Sequence, residues 1–329
     1  MAISVRKRKK TQRHRQKLDL KAKDLMRRSR REAAENMTIP SVALGDLRRR
    51  WTKKQRPLHP AVERQITKFK RIPVNRAQRL LVYGSDGGLL LCRAHLDEPD
   101  TVRRLFESII SLPPSKHYKF RGIIRSDYGV RHYGVWGPYA PRPFYTRETH
   151  ADGEIAMQFL ARNERVFHKM SELLGELAPQ CYKETQMYPL PDGIKRVCGA
   201  FLACAINNGG NNPNETNPHR DVNESRFGYS CVISCGDYTG GGLILYDLKI
   251  ILEMQPGDMV LFPDSLLVHS NEAAQGERCS LVAFTQENVY DYWYRTFNMK
   301  LRRHAIQKTK PKARKRVWSD VSRRYIPII

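Results

Sequence analysis

Three short stretches of the sequence place a histidine and an aspartate one residue apart, and each could supply two ligands to a metal ion. The pairs are His95 with Asp97, His150 with Asp152, and His219 with Asp221. Imidazole and carboxylate groups are the ligands of non-haem iron sites that keep open positions for other molecules. On a strand, residues i and i+2 point to the same face. The spacing makes all three pairs candidates, so their surroundings must decide among them.

The first two pairs precede predicted helices. The stretch "PDTVRRLFESIISL", residues 99–112, follows the pair at 95 and 97, and a strongly periodic segment, residues 152–178, follows the pair at 150 and 152. Acidic side chains are common at helix N-termini, where they interact favourably with the exposed backbone N–H groups. We therefore assign structural roles to both pairs.

The third pair differs because a further histidine follows it in a suitable context. His219 and Asp221 come after a predicted strand, residues 198–206, and a loop rich in Gly, Asn and Pro. Further on, Pro256-Gly257-Asp258 predicts a turn, a short strand follows, and His269 stands at the end of the next predicted strand. A neighbouring strand could thus bring a third ligand next to the pair.

The segment after His269 adds a group that could bind an anion. The polar loop "SNEAAQGE" predicts a chain reversal, and four side chains of the next predicted strand should share one face: Arg278, Ser280, Val282 and Phe284. Beside a metal ion, an arginine fork and a serine hydroxyl can grip a carboxylate. The full pattern is three metal ligands followed by an anion clamp.

This order of motifs, "HRD", "PGDMVLF", His269 and then "RCS", resembles the signature of the Fe(II)/2-oxoglutarate dioxygenases. More narrowly, residues 219–287 are similar to the TET/JBP-type oxygenase domains, especially the compact fungal forms that accompany transposable elements. The resemblance covers about residues 195–290 and, more loosely, the aromatic segment 118–150. It implies that His219, Asp221 and His269 ligate Fe(II), that Arg278 and Ser280 hold the co-substrate 2-oxoglutarate, and that O2 takes the remaining position.

The resemblance also implies a substrate. In TET/JBP relatives the target is the methyl group of a pyrimidine that swings out of the duplex. We therefore expect an oxidoreductase that converts 5-methylcytosine in DNA to 5-hydroxymethylcytosine, with further oxidation left open. Seven residues are candidates to line the substrate pocket: Asn223, Glu224, Tyr229, Tyr128, His132, Trp136 and Tyr139.

Alternative functions stay open at this point. One is a repair-type demethylase of N-methylated bases such as N6-methyladenine, or of RNA, and another is a hydroxylase of a basic protein. AlkB-type enzymes carry a second arginine shortly after the one that matches Arg278, whereas Phe284 stands six residues on. A catalytically silent nucleic-acid-binding barrel is a third possibility. The dispersed cysteines also differ from the zinc-binding region of vertebrate TET enzymes.

The periodicity of the sequence predicts an α+β fold. Residues 99–112 and 152–178 have the spacing of amphipathic helices, and "SDGG" joins two strand-like runs into a hairpin. After residue 196 the sequence consists of short strands and tight turns, which favours an antiparallel sandwich or barrel. Together with the resemblance, this predicts a double-stranded β-helix (jelly-roll, cupin-like) flanked by helices. We expect a basic, partly helical or disordered arm over 1–75, the oxygenase domain over 76–294 and a basic tail over 295–329.

The charge distribution points to a polyanionic partner. The formal net charge is +25, and the basic excess lies at the two ends: residues 1–71 carry 24 Lys and Arg against 6 Asp and Glu, and residues 295–329 carry 12 against 1. Such arms bind phosphates through counterion release without reading sequence, so we expect nucleic acid, in particular DNA, as the partner. The runs "RKRKK" and "KPKARKR" equally suit nuclear import, which predicts a nuclear protein. No apolar run is long enough for a membrane span, and the oligomeric state stays open.

Overall fold

The computed structural model describes residues 34–55, 58, 62, 64–113, 117–120, 123–137, 142–187, 189–209 and 215–297. Much of the predicted basic arm and tail, residues 1–33 and 298–329, lies outside these ranges. Among the described residues, no helix has the length and apolar character needed to cross a membrane.

The described chain is built mainly of strands, and most of its helices lie between residues 147 and 187. In chain order the strands are β1 Glu35–Ile39, β2 Lys70–Ile72, β3 Leu80–Gly84, β4 Leu89–His95, β5 His117–Phe120, β6 Ile123–Trp136, β7 Phe144–Tyr145, β8 Ala203–Asn208, β9 Ser230–Gly240, β10 Leu243–Leu245, β11 Ile250–Leu252, β12 Asp258–Phe262, β13 His269–Asn271 and β14 Ala274–Phe284. The helices are α1 Leu44–Arg50, α2 Pro99–Ile110, α3 Arg147–Asp152, α4 Glu154–Arg162, α5 Glu164–Leu177, α6 Pro179–Met187 and α7 Glu287–Phe297.

Two sheets form the body of the protein. The larger one has ten strands in the order β1-β3-β4-β12-β9-β14-β8-β6-β5, with β7 paired to β6, and the smaller has four in the order β13-β10-β11-β2. An apolar cluster between the sheets joins residues such as Leu80 and Val260 of the larger sheet to Leu243, Leu245 and Leu252 of the smaller. The predicted fold class, an α+β protein with a double-stranded β-helix core flanked by helices, is confirmed.

The other face of the larger sheet is covered by helices. Leu105 of α2, Phe159 of α4 and Met170 of α5 pack in one cluster with Leu281 and Ala283 of β14. Because side chains alternate along a strand, the neighbours of these β14 residues point away from the helices and toward the smaller sheet. The larger sheet therefore has one face covered by a mainly apolar helix cluster and one face that is available for a site.

All seven cysteines lie on the helix-covered side. They are free and buried, and each belongs to the cluster between the larger sheet and the helices. Burial raises the pKa of the Cys92 thiol to about 12 and also raises the pKa of Cys235. Cys92 and Cys235 are therefore protonated core residues, and all seven cysteines are free.

The segment before residue 75 differs from the expected arm. β1 pairs in parallel with β3, and β2 pairs in parallel with β11, so residues from 34 onward complete the edges of both sheets. Val42, Leu44 and Ile72 are buried in the cluster between the sheets. The short apolar stretches of this segment form strands because they pair with strands far along the chain. The local sequence pattern does not reveal such pairing.

The helical region is also more divided than the periodicity suggests. The segment 152–178 holds two helices, α4 and α5, separated at Asn163. The Asn163 side chain is buried and donates a hydrogen bond to the Phe159 carbonyl, 2.8 Å away, which competes with the continuation of the helix. Within the aromatic segment and at its end, residues 123–136 form the long strand β6 and residues 147–152 form α3.

Two of the His-x-Asp pairs have structural partners. Nδ1 of His95, on β4, lies 2.9 Å from Oδ1 of Asp258 on the paired strand β12. Asp152 accepts a hydrogen bond from the Tyr133 hydroxyl at 2.6 Å and forms an ion pair with Arg131. Asp152 thus ties α3 to β6 rather than beginning the long helix.

Replacing Gly236 by alanine should destabilise the long β9–β14 pair. Gly236 has φ 112, and a Cβ there would overlap the Glu277 carbonyl oxygen on β14. We expect the free energy of unfolding to fall by about 2–3 kcal/mol, which combines backbone strain with the clash. Chemical denaturation would measure the change.

The matched control is Gly87→Ala. Gly87 has φ 72, but a Cβ added there would meet no atom within 4 Å beyond its chain neighbours, so this variant isolates the backbone cost of about 1 kcal/mol. Equal destabilisation by the two variants would contradict the proposed overlap with Glu277.

Candidate active site

Backbone pairing brings two distant histidines side by side. The N–H of His219 donates to the His269 carbonyl at 3.0 Å, and the N–H of His269 donates to the His219 carbonyl at 2.9 Å. The Asp221 N–H donates to the Asp264 carbonyl at 3.1 Å. These bonds fix the ligand loop, residues 215–229 between β8 and β9, against the start of β13. His269 begins this strand, whereas the sequence placed it at a strand end.

The three predicted metal ligands converge on one point. Suitable ligand atoms of His219, Asp221 and His269 all lie within 4.8 Å of one another. Oδ2 of Asp221 is 3.4 Å from Nε2 of His269 and 3.9 Å from Nε2 of His219. In the described part of the chain, this is the group of His, Cys, Asp and Glu side chains close enough to share a metal ion.

The hydrogen bonds of the two imidazole rings orient them for metal binding. Nδ1 of His219 lies 2.7 Å from the Asn217 carbonyl oxygen, and Nδ1 of His269 lies 3.0 Å from the Leu267 carbonyl oxygen. A carbonyl oxygen can only accept, so each Nδ1 carries a proton, and in the neutral ring Nε2 presents its lone pair to the cluster. Two neutral imidazoles and one carboxylate are the donor set of a non-haem Fe(II) centre with open positions.

The electrostatics of the cluster reflect burial beside a negative charge. Burial lowers the pKa of His269, but the hydrogen bond and charge of Asp221 outweigh it, so the net pKa is raised. Burial raises the pKa of Asp264 to about 7, and the charge of Asp221 contributes to the same shift. Asp221 thus dominates the negative charge of the cluster and attracts a cation to it.

The three candidate ligands line a cavity of about 190 Å³ between the two sheets. Arg278, Ser280, Val282 and Phe284 line the same cavity. The predicted shared face of the last strand, β14, is therefore the cavity face. Arg278 is 4% exposed, and its guanidinium lies 5.5 Å from the centre of the Tyr238 ring. A buried cation beside a metal cluster can bind an anionic ligand of the metal.

Two residues that support this clamp were not predicted from the sequence. Asn207 of β8 lines the cavity and donates from Nδ2 to Oγ of Ser280 at 3.0 Å. Gly241 has φ 66, and a Cβ there would lie 2.9 Å from Cδ and Nε of Arg278. The "GGG" run at 240–242 was the available signal, because repeated glycines mark a close approach of backbone to a side chain.

The predicted substrate-binding residues separate into groups. Asn223, Glu224, His132 and Trp136 line the cavity. Tyr229 is buried in the helix-side cluster, where its hydroxyl donates to the Leu89 carbonyl at 2.8 Å, so it supports the core. Tyr128 lies on β6. Tyr139 is outside the described residues.

Aromatic rings form one wall of the cavity. The ring centres of His132 and Trp136 are 5.4 Å apart with an interplanar angle of 32°, and the ring of Phe284 stands edge-on to His132 at 6.4 Å. Nε1 of Trp136 is buried and has no hydrogen-bond partner among the described residues. The wall therefore offers flat apolar surface to a ligand.

Comparison with known proteins supports the fold. Neither the protein-family models nor the curated proteins give a match. Among solved structures, NgTET1 in complex with 5mC DNA is similar at 16% identity over 70% of this chain and 91% of that chain, with a TM-score of 0.52. A 2OG-Fe(II) oxygenase family protein from Burkholderia pseudomallei matches at 16% identity over 58% and 84% of the two chains, with a TM-score of 0.36. The first likeness establishes a shared fold; the second superposes too loosely to add to it.

Removing a ligand should abolish metal binding. We expect Asp221→Asn to weaken the affinity of the protein for Mn²⁺ or Co²⁺ by at least about 100-fold, because the cluster loses its negative charge as well as an oxygen donor. Isothermal titration calorimetry on metal-stripped protein would measure the change. His150→Ala is the matched control, since His150 belongs to a His-x-Asp pair outside the cluster; equal losses would contradict the assigned ligands.

Proposed function

We propose that the protein is an Fe(II)/2-oxoglutarate-dependent dioxygenase. The observation that carries this proposal is the presence, in one cavity, of the His219, Asp221 and His269 cluster and the buried cation of Arg278. A structural metal site would surround its ion with four protein ligands, whereas three ligands at a cavity leave positions for other molecules.

The cluster fits Fe(II) by its donor set and its charge. His219 and His269 would each bind through Nε2, and Asp221 would bind through Oδ2, since these atoms face one another. The carbonyl contacts at Nδ1 keep both rings in the orientation and tautomer that metal binding requires. Bound together, iron and 2-oxoglutarate supply the activation of O2 that inserts one oxygen atom into a C–H bond and releases succinate and carbon dioxide.

Arg278 and Ser280 would hold the far carboxylate of 2-oxoglutarate. The guanidinium is buried, so its attraction for a carboxylate is screened less by water than at the surface. Asn207 orients the Ser280 hydroxyl, because its amide N–H occupies one lone pair of Oγ and leaves the hydroxyl hydrogen to be donated. Leu243, Met254 and Phe262 supply apolar walls that exclude water.

The proposed substrate is a methylated base in DNA, with 5-methylcytosine oxidised to 5-hydroxymethylcytosine. The ring pair of His132 and Trp136 offers a flat surface on which a base can stack. Asn223 and Glu224 add polar groups next to the metal ligands. NgTET1, whose fold is shared, was solved with 5mC DNA. The basic runs near both ends suit DNA binding in the nucleus.

Nucleoside analysis would test the reaction. Purified protein with Fe(II), 2-oxoglutarate and ascorbate should convert 5-methylcytosine in DNA to the hydroxymethyl product, measured by mass spectrometry. His219→Ala combined with Asp221→Ala should abolish turnover and leave DNA affinity nearly intact, because neither residue is a phosphate contact. Intact 5-methylcytosine with succinate formed on N6-methyladenine or RNA would favour an N-demethylase. No succinate with any methylated nucleic acid would favour a silent barrel.

Arg278→Lys should raise the Kd for 2-oxoglutarate by about 10- to 100-fold. Lysine keeps the charge but loses the planar fork, and a charged hydrogen bond contributes about 1.5–3 kcal/mol. Calorimetry with Mn²⁺ in place of iron measures this without turnover.

Gly241→Ala provides an independent route to the same result. The new Cβ would lie 2.9 Å from the Arg278 side chain and displace it, so 2-oxoglutarate should bind more weakly although Arg278 is retained. Wild-type affinity in both variants would contradict the assigned clamp.

A further inference from the structure

A short basic segment lies next to the metal-binding loop. Residues 44–55, "LGDLRRRWTKKQ", contain five basic residues and one acidic residue. They form α1 and the extended stretch that follows it. We call residues 48–54, which hold all five basic residues, the basic strap.

The strap is hydrogen-bonded to the peptide between two metal ligands. Gln55, just after the strap, accepts from the Arg220 N–H at 3.2 Å through Oε1 and donates from Nε2 to the Arg220 carbonyl. The Arg220 guanidinium donates to the Lys54 carbonyl at 2.8 Å. Arg220 stands between His219 and Asp221, so Lys54 lies next to the loop that carries two of the three candidate ligands.

The strap also reaches the aromatic wall of the cavity. Nζ of Lys53 donates to Oδ1 of Asn288 at 2.7 Å, and Nδ2 of Asn288 donates to the Gly137 carbonyl at 2.7 Å. Gly137 follows Trp136, and its N–H donates to the side chain of Gln286, which lines the cavity. Lys53 and Lys54 therefore lie between the ligand loop and the wall that carries Trp136.

Stacking contacts hold the strap in place while its outer charges face solvent. The Arg226 guanidinium lies 5.2 Å from the Trp51 ring centre, and Nε of Arg48 donates to the Arg226 carbonyl at 3.2 Å. Lys53 and Lys54 are exposed, and Arg50 makes a 3.8 Å ion pair with Asp46 at the surface. Exposed pairs contribute little, so Arg50 can exchange this partner for another anion.

We propose that the basic strap binds the backbone phosphates of the nucleic-acid strand whose base enters the cavity. The inference rests on the proposed function and adds the surface that holds the substrate. Ammonium and guanidinium groups neutralise phosphates without reading sequence, whereas the cavity contacts the base. A cationic segment beside an aromatic-walled cavity matches a polymer in which anionic groups alternate with flat rings, and this combination favours nucleic acid over an acidic protein.

The experiment removes three exposed charges in the full-length protein. The strap variant is Arg50→Gln with Lys53→Gln and Lys54→Gln. We expect its affinity for a short duplex containing 5-methylcytosine to fall at least about tenfold at low salt, and the slope of log K against log salt to flatten by about two to three. Fluorescence anisotropy over a salt series measures both.

A control with the same change in net charge separates local contact from general attraction. Arg103→Gln, Arg162→Gln and Lys183→Gln remove three exposed charges from α2, α4 and α6, the helices on the opposite face of the larger sheet. Their salt slope should equal that of the wild type. Equal flattening in both triple variants, or none in the strap variant, would overturn the proposal, as would poly-glutamate competing as well as the duplex.

Two further measurements keep the result interpretable. Lys54→Gln alone alters one exposed side chain and should flatten the slope by about one, which tests the proposal if the triple variant folds poorly. If the wild-type protein oxidises no methylated base while the strap-dependent slope persists, the proposed reaction fails and the nucleic-acid surface stands. If the wild-type protein oxidises the methylated base but the strap variant keeps the wild-type salt slope, the proposed reaction stands and the proposed phosphate-binding surface fails.

Discussion

Two hydrogen bonds between the backbones of His219 and His269 hold the candidate site together. They join a loop that follows β8 to the first residue of β13, and both rings are thereby placed on the same side as Asp221. The loop itself has little regular structure, so its position depends on this bridge and on the bond from Asp221 to Asp264. A loop held by backbone pairing at its ligand residues can present side chains with the geometry that a metal ion demands, without a costly rearrangement on binding.

The strand β14 links this site to the stability of the whole fold. Its alternate residues Arg278 and Ser280 face the cavity, and Leu281 and Ala283 face the helices. It lies between β9 and β8 in the centre of the larger sheet, where both of its edges are paired. Arg278 and Ser280 therefore lie on one of the most strongly supported strands, where their side chains would lose little additional entropy on binding a ligand.

The sequence predicts those features that depend on neighbouring residues and misses those that depend on distant ones. The shared face of Arg278 and Ser280 follows from the period of two along a strand, and the three metal ligands follow from the spacing of motifs. Strands β1 and β2 are set by parallel pairing with β3 and β11, so their charged local sequences conceal them. Asn207 and Gly241 matter through contacts with Ser280 and Arg278 on another strand. No pattern in their own segments identifies these partners.

The distribution of the cysteines has a consequence for chemical durability. All seven thiols lie between the larger sheet and its helices, on the side away from the cavity. Oxidation of cysteine follows its thiolate character and its exposure; all seven thiols are buried, and burial also raises the pKa of Cys92 and Cys235. If the proposed reaction of iron with oxygen takes place here, reactive species that leave the cavity toward the helices would meet the sheet before any cysteine, whereas Met254 lines the cavity itself. The same sheet that carries the site therefore separates the seven thiols from it.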